Sequence, residues 1–188
     1  MIELPRITII AIDCYNYGLA TAALQKCNEQ VKAEKTVLLT DIPLDIDGIE
    51  VVKIPTISSK EQYSEFCIKE LYKYFDTDFV LVVQHDGYIL NGDSWSDEFY
   101  NYDYIGAPWL YTDGKNVGNG GFSLRSKKLQ EVLGKDNFIT ASDPEDQAIG
   151  RLYRDYLIKE HGIKFPSEEL ADTFSFELRE PKCKTFGF

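Results

Sequence analysis

Two short, unbroken apolar runs constrain this chain more than any other feature. Ile7-Thr8-Ile9-Ile10-Ala11-Ile12 and Phe79-Val80-Leu81-Val82-Val83 are strand-length, rich in β-branched residues and bounded by polar turns. A strand with one wet face alternates apolar and polar residues; one covered on both faces does not. Both runs therefore belong inside a sheet with helices on either side. Thr36 to Thr40 and Ile49 to Ile54 read as further strands. Between them lie segments of helical period. Asn16 to Asn28 carries Leu19, Ala20, Ala23, Leu24 and Cys27 on one face. The second segment runs from about Ser59 to Phe75, with Ser59 as N-cap and Gln62 as its capping-box partner. Its stripe is Tyr63, Phe66, Cys67, Leu71 and Tyr74. The alternation predicts a single α/β domain, a mostly parallel twisted sheet flanked by helices.

The second half, from about residue 91, differs in character. It is rich in Gly, Tyr and Asp, with short strands at Tyr104 to Ala107 and Gly121 to Leu124 and one long helix predicted from Pro144 to Glu160. The reading is a nucleotide-type half over about 1–90 and an acceptor or catalytic half over about 91–188 within one domain. A chain of 188 residues buries a continuous core without disulfides. The net charge of −11, with no basic run, excludes non-specific nucleic-acid or membrane-surface binding. Cys14, Cys27, Cys67 and Cys183 show no paired spacing and read as small apolar residues of a reducing compartment. No apolar run approaches the ~18 residues of a membrane span. The expected location is cytoplasmic.

Ligands in open parallel sheets bind beyond the carboxyl ends of the strands. Three predicted strands run into Asp13, Asp41 and Asp86. In Gln84-His85-Asp86-Gly87 a buried strand delivers polar side chains to that edge. Asp86 can hold a divalent cation whose other ligands come from a diphosphate, or it can simply start a turn. Gly118-Asn119-Gly120-Gly121 offers either close backbone approach to a ligand or a glycine-rich lead-in to a strand; it is not a P-loop. Ser142-Asp143-Pro144-Glu145-Asp146 opens the predicted long helix, with Ser142 or Asp143 as its cap. The helical stripe aims Glu145 inward and leaves Asp146 near its edge, so one carboxylate is available as a general base.

Taken in order, Val82 to Gly87, Tyr104 to Trp109, Gly118 to Arg125 and Pro144 to Asp146 resemble GT-A-fold glycosyltransferases. The likeness is greatest to a small, uncharacterised glycosyltransferase-like family with Q-x-D-G, G-N-G-G-F-S-L-R and P-E-D motifs. It implies a nucleotide-sugar donor, a UDP-sugar, and Mn²⁺ or Mg²⁺ on its diphosphate. By that resemblance Asp86 is the metal ligand, with Gln84 in place of the family's first carboxylate. Asp13, Tyr15, Gln84, His85, Gly120 and Gly121 face the donor, and Asn119 and Trp109 the acceptor. Glu145-Asp146 matches the catalytic acid pair, with Asp146 as base or Glu145 if the register differs. Such enzymes often add a late His to the metal. This sequence reaches Phe188 without one, so the expectation is either further chain or water as ligand.

The implied reaction is metal-assisted, inverting sugar transfer to a hydroxyl in glycan synthesis. Two other classes remain: a nucleotide- or glycan-binding module without turnover, and a metal-dependent phosphohydrolase on strand-end aspartates. The aromatic surplus, Tyr 12 and Phe 11, suits stacking on a base or sugar, with Tyr88, Tyr111 and Trp109 as candidates.

Overall fold

The computed structural model describes residues 1–188. In chain order the elements are β1 (Ile2–Ile12), α1 (Tyr17–Gln30), β2 (Val31–Thr40), β3 (Glu50–Lys53), α2 (Lys60–Lys69) and β4 (Phe79–Val83), followed by β5 (Tyr104–Gly106), β6 (Phe122–Ser126) and α3 (Lys127–Lys135). Then come α4 (Glu145–Gln147), a π-helical turn (Ala148–Leu152), α5 (Arg154–His161) and α6 (Glu168–Phe174). One six-stranded sheet has the order β3-β2-β1-β4-β6-β5. The first four strands are parallel, and β6 runs antiparallel to both β4 and β5.

The two apolar runs pair at the centre of this sheet, and their alternation explains why neither contains an exposed position. Ile7, Ile9 and Ala11 of β1, with Phe79, Leu81 and Val83 of β4, join one core against α1 and α6. Ile10, Ile12, Val80 and Val82 point the other way into a second core beneath α2. A third cluster packs α3 and the α4–α5 segment against Ile68 and Tyr104. The predicted α/β fold is the observed one. Its helices differ in detail. The second helix ends at Lys69 and passes into a 3₁₀ turn at Leu71–Lys73. Ser59 caps α2 as expected, accepting from the Gln62 N–H at 3.2 Å, whereas the Gln62 side chain accepts from Ser58 instead. Two helices lie outside the sequence reading, α3, which turns Leu129, Val132 and Leu133 toward the third cluster, and α6; each is short and started by a serine cap, Ser126 and Ser167.

The predicted continuous helix over Pro144 to Glu160 is broken. Pro144 itself takes the N-cap position, and neither Ser142 nor Asp143 caps. The Asp143 carboxylate accepts a hydrogen bond from Ser64 Oγ of α2 instead, at 3.0 Å. One turn on, the Tyr153 N–H bonds the Ala148 carbonyl at 2.8 Å, the wider loop of a π turn. At Gly150 a side chain would meet the Trp109 ring at 2.9 Å, so packing against that indole sets the local path.

All four cysteines are free; Cys27 and Cys67 are buried, Cys14 is half-buried and Cys183 is exposed, which places only two in the core. No helix is long and apolar enough to cross a membrane. Much of the aromatic surplus is spent internally: Trp95, Phe99, Phe122, Phe174 and Phe186 meet ring to ring at centroid distances from 5.1 to 5.9 Å. This cluster anchors the final residues, whose backbone also bonds Thr173, Phe174 and Leu90.

Leu81 is fully buried in the central strand. Leu81→Ala is expected to lower unfolding free energy by about 3 kcal/mol in urea titration, whereas Leu110→Ala, at an exposed position, should leave it nearly unchanged.

Candidate active site

Parallel strands β1 and β4 deliver their carboxyl ends to one edge of the sheet, and two neighbouring clefts open there. The first, of about 460 Å³, is lined by Lys60, Tyr63, Gln84, Asp86, Asn119–Phe122, Asp143–Asp146 and the C-terminal residues Ser175–Glu177 and Phe188. The second, of about 450 Å³, lies at the end of β1 and holds Asp13, Tyr15, Asn16, Ser58, Ser59 and His85. Lys60, Tyr63 and Gln84 belong to both. Each volume lies in the range of small-molecule sites.

The site rests on a buried cation. Arg125 of β6 is fully enclosed, and its Nη2 reaches Glu145 Oε1 at 3.0 Å, with the two side chains 0% and 7% exposed. Its Nε donates to Ser123 Oγ at 2.9 Å, and Ser123 Oγ donates to the Gly120 carbonyl at 3.0 Å. Gly120 in turn donates its N–H to Asp146 Oδ2 at 3.1 Å. A side chain at Gly120 would lie 2.8 Å from Glu145 Oε1 and 2.9 Å from Asp146 Cβ, so only glycine lets the loop approach both acids. The adjacent carboxylates thus divide. Glu145 is consumed by the arginine, while Asp146 faces the cleft with Oδ1 held by the Gln147 N–H at 2.7 Å.

Burial, and then the neighbouring Glu145 charge, push the Asp146 carboxyl above its usual range, against the pull of the Gly120 and Gln147 amides. Glu177, across the cleft, is raised by burial and then by the charges of Asp146 and Asp86. These three carboxylates therefore surround one space. Tyr63 stays a neutral phenol, since burial and the acids near it lift its ionisation well above normal. Gln84 Nε2 bonds the Tyr63 hydroxyl at 3.1 Å.

Of the residues singled out by sequence, Gln84, Asp86, Asn119, Gly120, Gly121, Glu145 and Asp146 meet in the first cleft. Asp13, Tyr15 and His85 lie in the second, where Asp13 Oδ1 accepts the Tyr15 and Asn16 N–H groups and Tyr15 is exposed. Asn119 Oδ1 accepts from the Gly121 N–H at 2.8 Å, which orders the glycine loop. Trp109 lines neither cleft: its ring is 5% exposed and packed on Gly150, so it offers a sugar no open face. Lys60, Tyr63, Arg125 and Glu177 were not foreseen as site residues. Arg125 lies within a quoted motif, but no local pattern assigns its partner, 20 positions away.

The donor set fits a hard divalent cation only as a guest of a substrate. No three His, Cys, Asp or Glu side chains come together in a metal-binding group. Asp86 is the one carboxylate on the β4 exit, and a cation held by one carboxylate plus substrate phosphates has that kind of donor set.

Comparisons with known proteins agree with the architecture. Residues 48–187 match the model of a family described as "Protein of unknown function (DUF5672)". Curated protein sequences yield no significant match. Among solved structures, the mannosyltransferase PcManGT from Pyrobaculum calidifontis, in complex with GDP-Man and Mn²⁺, superposes with a TM-score of 0.57 at 13% identity, covering 88% of this chain and 55% of that one. This chain therefore spans about half its length. The galactosyltransferase LgtC, in complex with donor and acceptor sugar analogues, gives 0.49 at 12% identity, with 87% and 68% covered. The apo glycosyltransferase GlyE from Streptococcus pneumoniae TIGR4 gives 0.44 at 16%, with 89% and 42% covered. At 13% identity the mannosyltransferase superposition shows the fold alone, and that fold is GT-A-like.

Arg125→Met strands a buried Glu145 and is expected to cost about 3–5 kcal/mol in denaturant unfolding. Adding Glu145→Gln to that variant should restore part of the loss, because the uncompensated charge is then gone.

Proposed function

We propose that this chain, which belongs to the DUF5672 family matched over residues 48–187, is a glycosyltransferase that moves a sugar from a nucleotide-sugar donor, a UDP-sugar, to a hydroxyl acceptor. The observation that carries the reading is the division of labour between Glu145 and Asp146. One carboxylate is neutralised in the core, and the other is held at the cleft by two backbone amides with its pKa raised. A carboxylate tuned upward is a better proton acceptor near neutral pH than an exposed one.

In this reading the donor's nucleoside lies in the cleft of Asp13, Tyr15 and His85, with the exposed Tyr15 ring available for stacking. Its sugar reaches the first cleft beside Asn119, Gly120 and Gly121. Asp146 takes the proton of an acceptor hydroxyl as that oxygen attacks the anomeric carbon from the face opposite the diphosphate, so configuration inverts. Asn119 and Glu177 border the acceptor's path. Asp86 and the Gln84 amide are the groups that would hold Mn²⁺ or Mg²⁺, which when bound offsets charge on the departing diphosphate. The first half of the chain serves the donor and the second half the acceptor, in the cytoplasm.

A second reading, a binding module without turnover, draws on Gln84. An amide stands where a carboxylate is expected, and it is tied to Tyr63. Activity separates the two. Release of UDP or GDP from UDP-sugars and GDP-mannose in the presence of Mn²⁺ should be measurable, and Asp146→Ala should reduce it by about 10²–10⁴-fold. An unimpaired variant would remove Asp146 from the base role.

Two further outcomes follow from the same geometry. Titration calorimetry with Mn²⁺ alone should give no saturable heat, whereas a nucleoside diphosphate present at the same time should make the metal bind. The raised Asp146 pKa also has a stability sign. The folded state holds that proton to higher pH than the unfolded chain does, so its contribution to stability is lost as pH rises through the folded pKa. Asp146→Asn should therefore melt higher than wild type at pH 7, and the difference should shrink as pH falls below about 3, under the ordinary Asp pKa of about 3.9, where Asp is protonated in both states.

A further inference from the structure

The first cleft is lined by five carboxylates, Asp86, Asp143, Glu145, Asp146 and Glu177, and by a single cationic side chain, Lys60. A dianionic or trianionic diphosphate entering such a space meets repulsion that one exposed aspartate with a guest metal only partly relieves. Lys60 stands where this matters. It is one of three residues shared by both clefts, the others being the neutral Tyr63 and Gln84. Its ammonium is exposed and makes neither a hydrogen bond nor an ion pair, unlike Lys69 and Lys127, whose amines are committed to backbone carbonyls. It also opens the ten-residue α2, whose first-turn N–H groups add positive potential on the same side.

Building on the glycosyl-transfer reading, we propose that Lys60 is a phosphate-binding residue. Its ammonium grips the donor's diphosphate as it passes from the Asp13–His85 cleft to the Asp86–Asp146 cleft. Charge on the leaving group is then met from two sides: by Lys60 from α2, and by whatever cation Asp86 admits from β4. A protein-held positive charge at this junction gives the diphosphate affinity that does not depend on metal. It also accounts for how a chain of net charge −11 admits an anionic donor into an acidic cleft.

The test is calorimetric. Wild type, Lys60→Met and Lys60→Arg are titrated with UDP and GDP, in EDTA and in Mn²⁺, with uridine and guanosine as phosphate-free probes. In EDTA, Lys60→Met should weaken the diphosphates by about tenfold or more, the worth of a hydrogen bond to a charged group. Lys60→Arg should retain most of the affinity, and nucleoside binding should not change. Added salt should erode wild-type binding more steeply than that of Lys60→Met. Lys60 lies on the surface, so neither variant threatens folding. If Lys60→Met binds UDP and GDP as wild type does, or if wild type binds them only with Mn²⁺, the role of Lys60 is overturned and the transferase reading stands. If neither diphosphate binds under any of these conditions, the donor reading itself fails and takes this one with it.

Discussion

The site depends on one buried ion pair. Arg125 and Glu145 are held 3.0 Å apart in nearly complete enclosure, and the arginine Nη1 has no partner at all. Such pairs add little net stability, because desolvating two charges offsets their attraction. What this one contributes is position. The guanidinium ties β6, through Ser123 and the Gly120 carbonyl, to the start of α4. It thereby forces two neighbouring carboxylates into different environments. Without it Glu145 and Asp146 would be competing acids at a helix start; with it one is structural and the other faces the cleft.

The last residues of the chain complete that cleft from the opposite side. Phe186 is locked among Phe122, Phe174 and Trp95, which places Phe188 and, further back, Glu177 on the cleft wall. Aromatic residues that suit ligand stacking by composition are thus mostly used to pin backbone. Tyr15, by contrast, stands exposed at the second cleft. The result is a strongly acidic chamber whose charge must be managed residue by residue: Arg125 for Glu145, Ser64 for Asp143, two amides for Asp146.

Much of the scaffold was legible because it follows from local rules. Uninterrupted β-branched runs mark doubly covered strands, and Ile7 to Ile12 and Phe79 to Val83 occupy the sheet centre for that reason. The cap at Ser59 is equally local. The clustering of Gln84, Asp86, Asn119, Gly120 and Asp146 follows from motif order combined with strand direction. Where local rules failed, a distant neighbour had intervened. Trp109 against Gly150 goes with the π turn that divides the expected long helix, and Ser64 draws Asp143 away from a cap position. Trp109, an acceptor platform by resemblance, is buried by that same contact.

From its sequence alone the chain determined an α/β sheet, its central strands and the set of polar residues brought to its carboxyl edge, because alternation and strand direction are properties of short segments. Only tertiary structure decided what each acid at that edge does. Glu145 and Asp146 are adjacent and chemically similar, and no periodicity distinguishes an arginine-paired carboxylate from a free one. The distinction comes from Arg125, 20 residues earlier, and from a glycine loop that fits between them only when both strands and helix are in place. Charge and solvation depend on every neighbour at once, and those neighbours exist only in the folded chain.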